Sequence, residues 1–198
     1  MTLTDRLISL AQLTLQDPRQ ATRALLAEDV PLPARTAGLL LVAVLSALLA
    51  SLQARLGGQV LDPVSALILA SPFRAAVVQW LFLGLSVILI YRVGRAFGGK
   101  GQLADALLIV VWLQLLMLAL QGLQLAVSLV SPSLAGIIGL AGFALFLWLM
   151  TAFIAELHGF ASRGAVFAGM LATILATGFF LGIVVILLLG PEAFIANV

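Results

Sequence analysis

Five stretches of this chain run for 17 to 26 residues without one charged side chain: Thr36–Ala54, Ala75–Tyr91, Ala106–Val130, Leu134–Ala155 and Gly164–Leu189. A helix rises 1.5 Å per residue, so about twenty such residues cross the ~30 Å hydrocarbon core of a bilayer. Continuous apolar runs exclude a membrane barrel, whose strands alternate apolar and polar positions. Composition closes off a soluble alternative. Hydrophobic residues make up 63% and charged ones 9% of the chain, against about 45–50% and 25% in ordinary globular proteins. The fold class expected is all-α: a polytopic five-transmembrane-helix bundle with N-terminal cytosolic or interfacial helices. With no cysteine, disulfides and thiolate metal sites are excluded.

The expected organisation has three parts. Residues 1–35 form cytosolic or interfacial amphipathic helices, 36–190 the five-span domain, and 191–198 a short tail on the far side. In the first part Leu3, Leu7, Leu10 and Ala11 share a helix face, which suits a helix at the membrane surface or one docked on the protein's own cytosolic side. Asp17-Pro18 reads as a helix start, and Val30-Pro31-Leu32-Pro33 as its stop. Between the first two spans, Val64 to Ala70 is too short to cross; with Asp62 as cap and Pro63 and Pro72 as bounds it reads as a short interfacial or re-entrant helix.

The positive-inside rule orients the bundle. An N-terminus in the cytoplasm puts Arg6, Arg19, Arg23, Arg35, Arg92, Arg95, Lys100 and Arg163 on the cytoplasmic side and only Arg55 and Arg74 outside. The C-terminus then faces the periplasm of an inner-membrane, multi-pass bacterial protein. So few cations, spread over loops, report orientation and not nucleic-acid binding.

Few residues could carry chemistry. Gly94–Gly101, GRAFGGKG, is one residue from a phosphate-binding loop, with Gly101 in place of the hydroxyl and a membrane helix in place of the strand. A turn flanked by Arg92, Arg95 and Lys100 around Gly98 and Gly99 suits anionic headgroups better. Glu156 and His158 form a carboxylate–imidazole pair at the end of the fourth span, but positions two apart on a helix point in different directions. A salt bridge from Glu156 to Arg163 or Arg92 is the expected role. Gln79, Gln114, Gln121 and Gln124 make an intramembrane polar stripe that either bonds neighbouring helices or lines a wet path. Gly136, Gly139, Gly142, Gly178 and Gly182 are expected to bring helices close, within the bundle or between protomers. Trp80, Tyr91, Trp112 and Trp148 read as interfacial anchors.

Three segments carry a family resemblance. RVGRAFGGKGQLADALLIVVW (92–112), LWLMTAFIAELHGFASRGAVFAGMLA (147–172) and DPRQATRALLAED (17–29) together resemble Yip1-domain membrane proteins, in which a double glycine, a basic residue and a glycine precede the third span. The resemblance implies five spans and a cytosolic N-terminus. Eukaryotic relatives act as adaptors in vesicle traffic and bind Rab-type GTPases, but their acidic and aromatic N-terminal motifs are missing here, so that partner is not carried over. The expectation is a membrane adaptor or scaffold without enzymatic activity, metal or other cofactor. Its cytosolic contact surface comprises Arg92, Arg95, Gly98, Gly99, Lys100, Glu156, His158 and Arg163. Its partners are the lipid bilayer, anionic lipids, a membrane or cytosolic protein, or a second copy. The alternative is a small transporter or channel subunit lined by the glutamines.

Overall fold

In the computed structural model residues 2–56 and 61–190 are described. The expected tail, 191–198, lies outside them. Eight helices follow in order: α1 Leu3–Gln16, α2 Pro18–Leu26, α3 Leu32–Leu56, α4 Pro63–Leu69, α5 Pro72–Ala96, α6 Leu103–Ser128, α7 Pro132–His158 and α8 Arg163–Leu189. Of these α3, α5, α6, α7 and α8 are long and apolar enough to cross a membrane, and no strand occurs among the described residues.

Short polar residues set the starts. The Asp17 carboxylate accepts from the Arg19 and Gln20 amides, and Asp62 from Val64 and Ser65. Ser71, Ser131 and Ser162 do the same for α5, α7 and α8. Proline follows the cap in α2, α4, α5 and α7, where its missing amide leaves no bond unmade. The same logic moves two expected boundaries. Pro33 does not stop the preceding helix but sits in the first turn of α3, and α2 has already ended at Leu26. The basic stretch after the second span is partly helical, since α5 runs on through Arg92 and Arg95 to Ala96.

Helix α3 packs on α5 and α6, α6 on α7, and α7 on α8. The core is filled by Leu39, Val42, Leu83, Val87, Ile109, Leu113, Leu149 and Phe153. Helix α8 stands apart: past Met170 none of its residues through Leu188 is buried. Several hydroxyls inside the spans bond their own helix, which satisfies them where a bilayer offers no water. Ser86, Thr151 and Thr173 donate to Phe82, Leu147 and Gly169 carbonyls.

The N-terminal helices pack on the bundle. In α1 the Thr14 hydroxyl is fully buried; it accepts from Trp112 Nε1 at 3.0 Å and donates to the Leu10 carbonyl at 2.8 Å. Trp112 is therefore no bilayer anchor. Its ring is 5% exposed, about 13 Å along α6 from the helix start, and its N–H needs a partner there. Leu7, Ile8 and Leu15 remain exposed on the outer side of α1. Helix α2 lies on α7 and α6 with Ala21, Thr22 and Leu25 buried.

Candidate functional site

The end of the bundle bearing α2 collects the polar side chains that the sequence singles out. At its centre is His158, the last residue of α7, 2% exposed. The Gly101 amide donates to its Nδ1 at 3.2 Å, which makes Nδ1 an acceptor and places the proton on Nε2, 3.1 Å from the Ile90 carbonyl. This neutral tautomer has both ring nitrogens satisfied. The Lys100 amide donates to the His158 carbonyl at 3.2 Å, and the Phe160 ring stacks on the imidazole with centroids 5.5 Å apart.

The loop from Gly94 to Gly101 wraps that ring. A methyl group on Gly94 or Gly99 would collide with the imidazole, and one on Gly101 would press on Leu157 and His158. Gly98 turns the chain with φ 84°. Gly159 closes α7 in the left-handed conformation at φ 73°, with the Phe160 amide donating to the Ala155 carbonyl. Glycine at 94, 99 and 101 is thus explained by the approach of an imidazole 57 to 64 positions away in sequence. Sequence reading set the glycine loop and His158 side by side as separate motifs. No periodic signal joins them.

Glu156 points elsewhere. It meets Arg23 Nε at 3.1 Å and Arg19 Nε at 3.9 Å, both on α2. The expected partners, Arg163 and Arg92, are not the ones it has, because α2 folds over the end of α7 and supplies closer cations. Arg35, a residue singled out only for orientation, is a hub. Its guanidinium donates to the Val30 and Ala104 carbonyls and to Asp105 Oδ1 at 3.1 Å. Arg95 donates to the Gly99 carbonyl at 3.3 Å. Arg92, Lys100 and Arg163 make no ion pair among the described residues. Nor do any three His, Cys, Asp or Glu residues among them cluster closely enough to hold a metal ion.

The polar stripe divides between two neighbours. Gln114 donates to the Ser46 hydroxyl at 2.8 Å and Gln121 to the Ser46 carbonyl at 3.4 Å, both on α3. Gln124 instead covers Gly139 of α7, and Leu120 covers Gly142. Gln79 is half-buried on α5. Around Gly136, Gly178 and Gly182 an added methyl group would meet nothing within 4 Å, so of the two roles expected, packing within the bundle or between protomers, these three do not fill the first. An apolar cleft of about 630 Å³ opens between α5, α7 and α8, lined by Leu89, Val93, Phe146, Met150 and Met170 and by no glutamine. A smaller pocket of about 330 Å³ lies beside the start of α6.

Both wrapped motifs, the glycine loop and the Glu156–His158 turn, fall within the residues matched by a single family model, that of the Yip1 domain, over residues 13–188. The chain belongs to the Yip1 family. The match begins inside α1 and ends near the close of α8, so it takes in α2 and all five candidate spans of this multi-pass membrane protein. Neither the curated proteins nor the solved structures provide a significant match.

Proposed function

We propose that this Yip1-family protein is a non-enzymatic membrane adaptor or scaffold. It sits in the bacterial inner membrane with its N-terminus in the cytoplasm and its C-terminus in the periplasm. Residues 1–35 form a cytoplasmic layer on the 36–190 bundle. Support for the orientation is the count of eight cations against two.

One observation carries the functional reading. The imidazole and the two carboxylates at this end that the spans carry are engaged in holding helices together: His158 bonds Ile90 and Gly101, Glu156 bonds α2, and Asp105 bonds Arg35. A catalytic base must reach a substrate proton, and these three are committed elsewhere. What remains for an outside partner is charge: Arg92, Lys100 and Arg163, exposed and without carboxylate partners among the described residues. Cations so placed attract anionic headgroups or the acidic face of a protein. Transport along a glutamine path has less support, because Gln114 and Gln121 donate to α3.

Crosslinking in native membranes with mass-spectrometric readout tests the reading. The expected result is a recurrent protein neighbour joined through the Lys100 side of the molecule. No recurrent neighbour across growth conditions contradicts it.

A further inference from the structure

The pocket beside the start of α6 is lined by Tyr91, Arg95, Lys100, Gly101, Gln102 and Leu103. From its contents we infer that it is a phosphate-binding site, taking the headgroup phosphate of an anionic lipid or free phosphate; the inference rests on the proposed reading of this end as an anion-contacting cytoplasmic face. Two of the six lining residues are cations and none is an acid. Asp105, the acid in the first turn of α6, is tied to Arg35 at 3.1 Å. Among the described residues the Tyr91 hydroxyl, the Lys100 ammonium and the Gln102 amide make no side-chain hydrogen bond, and Arg95 makes one, at 3.3 Å. Four polar side chains thus border one small space with nearly all their donors unspent.

The backbone holds them there. The Lys100 and Gly101 amides donate to His158, so the loop backbone is anchored while the Lys100 side chain makes no bond among the described residues. Gln102 occupies the N-cap position of α6 without a side-chain cap bond, which leaves first-turn amides and the positive end of the helix dipole beside the cations. A guanidinium, an ammonium, a phenol and an amide suit an acceptor with several oxygens and net negative charge, which describes phosphate.

The test uses the full chain in lipid nanodiscs of phosphatidylcholine with added phosphatidylglycerol, with retained lipid read by native mass spectrometry. A parallel arm titrates inorganic phosphate against the thermal midpoint. The Arg95→Gln/Lys100→Gln pair is expected to lower phosphatidylglycerol retention about tenfold. Tyr91→Phe, which changes no charge, is expected to lower it about fivefold. Arg92→Gln/Arg163→Gln removes equal charge from the same anion-contacting end but not from the pocket, and is expected to lower retention only about twofold. A midpoint raised by inorganic phosphate in the wild type and not in the Arg95/Lys100 pair assigns the site to free phosphate; lipid retention without that response assigns it to the headgroup. Equal losses in both charge pairs would overturn the pocket while leaving an anion-contacting face. No difference between the Arg95/Lys100 pair and the wild type in either arm would overturn it outright. An absent crosslinked neighbour alongside intact phosphate binding would instead count against the adaptor reading alone.

Discussion

A methyl group at Gly99 has no space except that held by the His158 imidazole. Alanine should favour a helical or extended backbone over glycine by up to about 1 kcal/mol, yet here the collision outweighs that gain. Gly99→Ala is expected to destabilise the protein by about 2 kcal/mol or more. His158→Ala leaves the Gly101 amide without its partner and takes from the Ile90 carbonyl the bond it makes beside its helical one. It also opens a cavity where the buried ring stood, and should cost a similar amount. Combined, the two changes should cost about 1–2 kcal/mol less than their sum, because the ring that collides is gone; thermal midpoints of the four proteins in one detergent give the cycle. Strict additivity would mean that the loop and the ring are not in contact. The buried Trp112–Thr14 bond makes a second prediction at this scale. Trp112→Phe keeps the packing and loses one hydrogen bond, about 1 kcal/mol. Amide exchange over Leu10–Gln16 should quicken while α6 keeps its protection.

Among the elements, α2 poses the clearest question of what holds it. Its ion pair with Glu156 is conspicuous, but the Arg23 side chain is 66% exposed, and pairs of that kind contribute at most about 1 kcal/mol. Leu25, 6% exposed, loses about 2–3 kcal/mol when cut to alanine. Burial therefore dominates: Leu25→Ala should release α2 to protease, whereas Arg23→Ala should leave its cleavage rate nearly unchanged. The start of this helix was legible in the sequence, since Asp17 and Pro18 have a local chemistry that needs no partner. Its docking partner was not. Glu156 lies 133 positions from Arg23, and two cations at the ends of spans, Arg163 and Arg92, competed for it in the sequence. Trp112 failed in the same way, its aromatic type suggesting an interface while Thr14 drew it inward. The glycine loop was visible as a motif, but the ring that requires it belongs to another span.

For the molecule as a whole, lipid does most of the specifying. Five helices long and apolar enough to cross a membrane are the only economical use of 63% hydrophobic residues, which is why the number of spans and their approximate ends could be read directly. How tightly each packs could not: α8 is as apolar as the others, yet touches chiefly α7, and hydropathy does not distinguish a helix facing lipid from one facing protein. The account depends on α2, the glycine loop and the α7–α8 link sharing one side of the membrane, opposite the α4–α5 and α6–α7 turns. A chain without cysteine allows a direct measurement, in which single cysteines in right-side-out spheroplasts are challenged with a membrane-impermeant maleimide. Arg74→Cys and Ser133→Cys should label in sealed spheroplasts, and Lys100→Cys and Ala161→Cys only after lysis. Labelling of Lys100→Cys before lysis, or protection of Arg74→Cys, would contradict the arrangement.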